Sequence, residues 1–334
     1  MKVNDLKETR SVIVIPCYNR LNTLKRLFNC LLQSEYPSAV DLVFSIDHSN
    51  AQTSLVEFIQ TLKWPYGELR CIAREQRLGL KHHILQCGDL VVGYEFIVML
   101  EDDLIVSKSF MKYAEQAVQF YAGQEGIAGI SLYNYDRSER NSQPFKPLKC
   151  GYDAYFMQFA SSWGQVWTRG QWQAFRYWLS KNDTENFGDV KADFVGKWPS
   201  TSWKKHFIRY MELQNLYFVF PYFGYSTNMG DDGSHHNYIF KLFTSALELG
   251  EPNLKLPEVS SNPIWYDSCF RLEKRSETPA PQTLLTANMT DDPATEFYKR
   301  FPYRTTFYFR VFLLALLVDA KKTLHKLSKI FKRG

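Results

Sequence analysis

The sequence has no cysteine pairing pattern, no long apolar run and no low-complexity tract. Its six cysteines show neither CxxC nor metal-finger spacing, and the N-terminus "MKVNDLKETR" is not that of a secretory signal, which predicts reduced thiols in a cytosolic protein. The longest apolar run, residues 311–318, has eight residues, whereas a helix needs about 20 to span a bilayer. The chain is therefore expected to fold as an ordered globular protein without a transmembrane helix.

The net charge is also small outside one segment. The net charge is +5, but residues 303–334 alone carry eight Lys or Arg and one acid, which makes +7 and leaves −2 for the rest. A protein body that binds nucleic acid is normally basic over one of its faces. The charge distribution therefore argues against a nucleic-acid-binding body.

What the sequence does contain is an alternation of short apolar runs and helical patterns. Strand-like runs are "SVIVIP" from residue 11, "VDLVFSID" ending at Asp47, "LRCIAR" and "EFIVML", with a helical pattern between each pair. This alternation predicts an α/β fold with a doubly wound, mostly parallel sheet flanked by helices. Ligands of such sheets bind beyond the carboxyl ends of the strands, which here are followed by Asn19, Asp47, Arg74 and Asp103.

The pattern becomes less regular after residue 130. The polar segment "SLYNYDRSERNSQPFKPLK", residues 131–149, predicts a surface excursion. "FASSWGQVWTRGQWQAFRYWL" predicts a turn followed by a helix that carries Trp163, Trp167, Trp172 and Trp178. Residues 271–302 are rich in Pro, Thr and Asp, as is typical of a linker.

The acidic triplet "EDD", Glu101 to Asp103, lies between the apolar runs "FIVML" and "LIV". One interpretation is an acidic helix start or a solvated loop. However, the next helical pattern has its own candidate caps in Ser107 and Ser109. Like charges at the end of a buried strand raise one another's pKa unless a cation compensates them. We therefore favour a site for Mg²⁺ or Mn²⁺ held by carboxylate and phosphate oxygens.

These motifs, in this order, resemble a GT-A-fold glycosyltransferase. "SVIVIPCYNR", the strand ending at Asp47 and "FIVMLEDDLIVSKSFMKYAEQ" carry the resemblance, and the triplet is similar to the metal-binding DxD motif. "SSWGQVWTRGQW" and "STNMGDDGSHH" extend it, so that it covers roughly residues 11–240. It is closest to the inverting N-acetylglucosaminyltransferase I group and to bacterial relatives in surface-polysaccharide synthesis.

The resemblance implies a GT-A-type, Rossmann-like fold with a C-terminal amphipathic helical tail. Residues 1–106 would be the nucleotide-sugar-binding half of the domain and residues 107–270 the acceptor-binding half. A linker, 271–302, and a basic helix, 303–334, would follow.

Roles for individual residues also follow from the resemblance. Asp47 would accept a hydrogen bond from the uracil ring N–H, Asp102 would contact the ribose and Glu101 the donor sugar. Asp103 would bind the metal at the diphosphate, where it acts as a Lewis acid. The base and ribose would be lined by Pro16, Tyr18, Asn19 and Arg20, and the phosphates would be assisted by Arg74 and Arg77.

The general base is not where the resemblance places it. The resembled enzymes carry an Asp between two tryptophans, but "WPSTSW", Trp198 to Trp203, contains no acid. We favour Asp231 in "NMGDDGSHHN" as the base that takes the acceptor's proton. Asp232, Asp193 and His235 are alternatives, His235 also as a metal ligand, although Gly-Asp-Asp-Gly is equally typical of an ordinary turn.

Trp163 is the candidate sugar platform. Tryptophans at helical spacing normally pack in a core. "SSWG", however, predicts a turn, where the indole of Trp163 can be partly exposed and stack on a sugar.

The tail predicts a membrane surface as a partner. Its apolar residues Leu316, Ala320, Leu324, Leu327 and Phe331 form one helical stripe, and lysines occupy the other faces. Such a helix suits an anionic leaflet. A helix docked on the body, and more weakly an RNA contact, are the alternatives.

The prediction is an inverting, metal-dependent glycosyltransferase that uses a nucleotide sugar, expected to be a UDP-sugar. Its acceptor would be a glycan on a lipid carrier, and the protein would lie peripherally on the inner face of the plasma membrane. A sugar nucleotidyltransferase is a rival, but no glycine-rich loop with a Lys follows the first strand. The other rival is a catalytically impaired descendant that binds nucleotide and membrane.

Overall fold

The computed structural model describes residues 11–229, 243–250, 253–261 and 263–273. All of them belong to the first of the two units into which the chain divides, Met1–Lys274. The predicted tail at 303–334, nearly all of the predicted linker, and Asp231, Asp232 and His235 lie outside the described residues. No helix in the described ranges has the length and apolar character that crossing a membrane requires.

Strands and helices alternate through the first part of the chain, as predicted. The strands here are β1 (Ser11–Cys17), β2 (Val40–Ile46), β3 (Leu69–Ala73), β4 (Phe96–Met99) and β5 (Leu104–Val106). The helices are α1 (Leu21–Leu32), α2 (Gln52–Gln60), α3 (Gly79–Gly88) and α4 (Phe110–Tyr121).

The second part contains more strands than the sequence indicated. They are β6 (Ile127–Ser131), β7 (Ala154–Met157), β8 (Gln165–Thr168), β9 (Tyr217–Pro221), β10 (Ser226–Asn228) and β11 (Trp265–Tyr266). Two helices, α5 (Arg169–Asn182) and α6 (Trp203–Leu213), complete the regular elements, with short 3₁₀ turns at residues 89–93, 193–197 and 259–261.

Nine strands form one mixed, mostly parallel sheet in the order β11-β7-β9-β6-β8-β4-β1-β2-β3. The neighbours from β4 to β3 all run parallel, whereas β8 is antiparallel to both β4 and β6. A separate small sheet pairs β5 with β10. The predicted fold class, an α/β fold with a mostly parallel sheet flanked by helices, is confirmed.

The side chains of β1 show how the sheet divides the core. Val12 and Val14 face one apolar layer and Ile13 and Ile15 face the other, all of them fully buried. This alternation follows the two-residue period of a strand. Helices α3, α5 and α6 cover the first layer, and α1, α2 and α4 cover the second.

Two predictions for the second part are wrong. Segment 131–149 is not simply a polar excursion, because Tyr133 and Tyr135 are fully buried within it. Trp167 lies on β8 rather than on a helix, because α5 begins only at the capping box formed by Thr168 and Gln171. Trp167 and Trp172 both pack in the core, as expected for most of these tryptophans.

Candidate active site

The carboxyl ends of β1, β2, β3 and β4 meet at one edge of the sheet. Backbone hydrogen bonds continue past the strands there, from Asp47 N to Cys17 O at 2.9 Å and from Arg74 N to Ile46 O at 2.9 Å. The edge therefore collects predicted site residues that are distant in sequence, namely Tyr18, Asn19 and Arg20 after β1, Asp47 after β2, Arg74 after β3, and Glu101, Asp102 and Asp103 after β4. Pro16 lies within β1 itself.

The acidic triplet has a counterion that the sequence did not reveal. Arg20 donates through Nη2 to Asp102 Oδ1 and through Nη1 to Asp103 Oδ2, the latter at 2.5 Å. Arg26, on α1, donates to the backbone oxygen of Asp103 at 2.8 Å. Arg20, which the resemblance placed against the nucleotide base and ribose, thus bridges two of the three carboxylates.

One guanidinium does not fully compensate three carboxylates. Burial and then the charge of Asp103 raise the pKa of Glu101 well above its ordinary value, against the opposing effects of Arg20 and Lys204. Burial also raises the pKa of Asp102 to about 6, although Arg20 opposes the shift. The three carboxyl groups, with one directly bonded guanidinium, are therefore short of compensating positive charge, as expected for acids crowded in a partly buried site.

Asp103 offers the atom best suited to a cation. The residue is 5% exposed, and its Oδ1 is buried without a hydrogen-bond partner in the part of the chain that the structure describes. A buried, unpaired carboxylate oxygen is costly unless something binds it. No group of three His, Cys, Asp or Glu side chains forms a metal site among these same residues. The residues therefore fit an ion held by Asp103 together with ligand oxygens, as is common for Mg²⁺.

Asp47 ties the end of β2 to the start of α3. Its Oδ1 accepts from the backbone N–H groups of His48 and Leu78 at 2.9 and 2.8 Å, and its Oδ2 accepts from Gly79 N at 3.0 Å. A carboxylate at a helix N-terminus is favoured by the unpaired N–H groups there. Oδ1 already accepts two bonds, whereas Oδ2 has a lone pair for one more, so the predicted contact with a base N–H remains a prediction.

The two arginines after β3 lie in different environments. Arg74 is half-buried, and its Nε donates to Ser45 Oγ at 3.3 Å. Ser45 Oγ is also 2.9 Å from Nε2 of buried His83, whose pKa burial lowers to about 4. Arg77 is exposed, and its guanidinium lies over the ring of Tyr18, 5.2 Å from the centroid. The guanidinium of Arg77 is therefore accessible to a ligand. That of Arg74 is partly engaged by its hydrogen bond to Ser45, on β2.

Trp163, just before β8, is half-buried in an aromatic cluster. Its ring centroid is 4.9 Å from that of Tyr133 and 5.1 Å from that of Phe243. The ammonium of Lys204 lies 5.7 Å from the Trp163 ring and 4.9 Å from that of Trp198. Lys204 is paired with Glu139 at 2.7 Å. The partial exposure of Trp163 agrees with a platform role, which stays a prediction.

Of the four predicted candidates for the base, the structure describes only Asp193. Asp231, Asp232 and His235 are outside the described residues, and Asp193 is exposed on the 3₁₀ turn at 193–197. The segment between Trp198 and Trp203, which lacks an acid, leads directly into α6 and Lys204. Glu139 also lies at this cluster, but the sequence did not indicate it as a site residue because segment 131–149 was predicted to be a surface excursion. The aromatic residues of "LYNY", residues 132–135, were the available signal that the segment is partly buried.

Residues 12–169, just under half of the chain, match the family model described as Glycosyl transferase family 2. The match spans β1 to β8 and includes the whole edge described above. It confirms the predicted resemblance to a glycosyltransferase. The narrower likeness to the N-acetylglucosaminyltransferase I group stays a prediction. No curated protein matches the chain significantly.

Solved structures resemble the chain at low identity. Residues 1–349 of S. aureus TarS, in complex with UDP-GlcNAc, are 14% identical over 70% of this chain and 62% of that one, with a TM-score of 0.47. The mannosyltransferase PcManGT from Pyrobaculum calidifontis, in complex with GDP-Man and Mn²⁺, is 13% identical over 69% and 60%, with a TM-score of 0.40. The chain thus spans less than two thirds of each of these structures.

Proposed function

We propose that this chain, which carries a glycosyltransferase family 2 domain at residues 12–169, transfers a sugar from a nucleoside diphosphate to a glycan with inversion at the sugar carbon. The observation that carries the proposal is the buried, unpartnered Oδ1 of Asp103 at the carboxyl edge of the described sheet. A pyrophosphate brings negative charge to an edge that already has an excess of it. The arrangement therefore calls for a cation between the carboxylate and the phosphates.

In this proposal Asp103 holds Mn²⁺ or Mg²⁺. When bound, the ion would neutralise charge on the departing nucleoside diphosphate. Arg20 fixes the orientation of Asp102 and Asp103 through its two hydrogen bonds. Glu101, beside them, faces the donor sugar.

The donor is proposed to be a UDP-sugar. Asp47 is held by three backbone N–H groups, and its Oδ2 still has one lone pair for the uracil N–H. Tyr18, Asn19 and the exposed Arg77 line the same edge, where a base can stack and a phosphate can meet a cation. The residues that follow β1 to β4 would thus enclose the nucleotide.

The acceptor is proposed to be a glycan on a lipid carrier at the inner face of the plasma membrane. The sequence of residues 303–334 supports this, because it combines an apolar helical stripe with eight basic residues. Anionic lipid attracts such a segment by about 1 kcal/mol for each basic residue near the surface. The protein would then associate peripherally with the membrane.

Titration calorimetry tests the donor site. We expect UDP to bind the full chain with Mn²⁺ and to lose at least tenfold in affinity without it. Asp103→Asn removes the charge at nearly constant shape and should abolish the benefit of Mn²⁺. Glu57→Gln, an exposed position on α2, serves as the matched control and should leave binding unchanged. UDP binding of equal strength with and without Mn²⁺, or an unaffected Asp103→Asn protein, would contradict the proposal.

A further inference from the structure

The pairing of β4 with β8 places Trp163 at the same end of the sheet as the acidic triplet. Met99, the last residue of β4, lies opposite Gln165, the first residue of β8, so Trp163 comes just before β8 at the end where Glu101 follows β4. Strand β10 supports this arrangement, because Ser226 Oγ donates to the backbone oxygen of Trp163 at 2.5 Å and Asn228 lies opposite Leu104. Trp163 therefore borders the proposed donor site.

A carboxylate reaches this border from segment 131–149. Both oxygens of Glu139 accept from Lys204 Nζ at 2.7 Å, and Oε1 also accepts from the hydroxyl of Tyr135 at 2.6 Å. Oε2 is bonded to Lys204 alone among the described groups, so it has a lone pair for a further donor. The Glu139 side chain is 13% exposed, which leaves it reachable from solvent.

Lys204 fixes the position of this carboxylate. Its ammonium lies over three rings, those of Phe159, Trp163 and Trp198, at 5.2, 5.7 and 4.9 Å from their centroids. Cation–π contacts of this kind immobilise the ammonium at one point. The partly exposed faces of Trp163 and Trp198 offer the apolar surface on which the C–H groups of a sugar pack. The cluster thus combines the carboxyl group of Glu139, the ammonium of Lys204 and aromatic faces.

We propose that Glu139, held by Lys204 and Tyr135 beside Trp163, binds the acceptor's hydroxyl group and takes its proton during transfer. This inference rests on the proposed function. The base then comes from segment 131–149, and not from residues 199–202 between the two tryptophans, where no acid is present. It also makes Lys204, the residue after Trp203, a positioning residue.

The step balances with the groups present. The acceptor oxygen forms a bond to the anomeric carbon of the donor sugar, and the bond between that carbon and the phosphate oxygen breaks. Its electron pair leaves on the nucleoside diphosphate, and the hydroxyl proton passes to Glu139. A positioned base contributes about 10²- to 10⁴-fold to such a rate.

Other described carboxylates at this end of the sheet suit the role less well. Asp102 and Asp103 are engaged by Arg20, and Glu101 belongs to the same triplet on the donor side. Asp193 is exposed on its 3₁₀ turn. Glu139 alone among these combines partial burial, fixed orientation and an aromatic wall.

The test uses the full chain with Mn²⁺. UDP release is measured from UDP-glucose, UDP-galactose and UDP-N-acetylglucosamine, with methyl glycosides as acceptor probes. We expect Glu139→Gln to lower kcat/KM at least 100-fold, to remove the acidic limb of the pH–rate profile and to leave the Kd for UDP within twofold. Asp136→Asn, an exposed carboxylate in the same segment, is the matched control and should retain full activity.

The outcomes separate this inference from the proposed function. The inference alone is overturned if the Glu139→Gln protein keeps more than a tenth of the normal turnover. It is also overturned if the pH–rate profile loses its acidic limb in Asp231→Asn but keeps that limb in Glu139→Gln. A wild-type chain that releases no UDP from any donor counts against the proposed function and removes the basis of the inference. If Glu139→Gln does not fold, the double variant Glu139→Gln/Lys204→Met, which leaves no unpaired buried charge, is measured in its place.

Discussion

The buried histidine of α6 gives a prediction with a clear sign. His206 is 1% exposed, and both of its ring nitrogens lack a hydrogen-bond partner within the described ranges. Four charged groups face it: Asp183 and Glu185, with oxygens at 3.5 and 3.8 Å from ring nitrogens, and the ammonium groups of Lys81 and Lys205. Burial, and then Lys81, lower the pKa of His206 from 6.5 to about 4.

Acid should therefore destabilise the protein through this residue. Below pH 6.5 the unfolded chain binds a proton at this position, whereas the native protein does not until about pH 4. The unfolded state then holds more protons, so the free energy of unfolding decreases as the pH falls, by up to about 1.4 kcal/mol per pH unit. Between pH 7 and 4.5 the loss from this one group is about 2 kcal/mol.

Chemical denaturation of wild type and His206→Gln across this range measures the effect. Many groups titrate near pH 4.5 in both proteins, so the informative quantity is the difference in unfolding free energy between them. We expect this difference to shift in favour of the variant by about 2 kcal/mol on going from pH 7 to 4.5. His48→Gln, at an exposed position, controls for the loss of a histidine. A difference that stays constant with pH would refute the reasoning.

Two further predictions concern packing and the tail. A Cβ at Gly88 would lie 2.0 Å from Cζ2 of Trp172, so Gly88→Ala should lower the unfolding free energy by about 1–3 kcal/mol in urea denaturation. Gly93→Ala should leave the unfolding free energy unchanged, because nothing lies within 4 Å of a Cβ at that position. Equal effects of Gly88→Ala and Gly93→Ala would contradict the predicted clash with Trp172. Removal of residues 303–334 should abolish sedimentation with vesicles that contain phosphatidylserine, and unchanged sedimentation would show that the membrane prediction is wrong.

The first half of the fold and the location of the site could be predicted from the sequence because both are local properties. A run such as "SVIVIP" indicates a buried strand, and the spacing of Leu24, Leu27, Phe28 and Leu31 indicates which face of α1 is covered. Polar residues directly after such strands must meet at one edge of a parallel sheet. No knowledge of long-range contacts is needed for either step.

The pairings within the site could not be predicted in this way. Arg20 and Asp103 are 83 positions apart, and Glu139 and Lys204 are 65 apart. Periodicity indicates which face of an element is buried, but not which partner meets a given side chain. The adjacent acids in the sequence therefore predict a compensating cation but not Arg20, which supplies part of that compensation.

The antiparallel junction of β4 and β8 explains why the two halves of the site are neighbours. Residues 11–103 supply the nucleotide edge, and the segments around Trp163 supply the aromatic cluster; the only direct strand pairing between these two parts in the described sheet is β4 with β8. Strand side chains alternate between faces, so a shift of this register by one residue would turn the side chain of Gln165 to the opposite face of the sheet relative to Met99. Gln165 is 1% exposed and pairs with Ser131 as well as with Met99, so the register is fixed from both sides. The register therefore fixes where β8, and the residues directly before it, meet the end of β4 that leads into the acidic triplet.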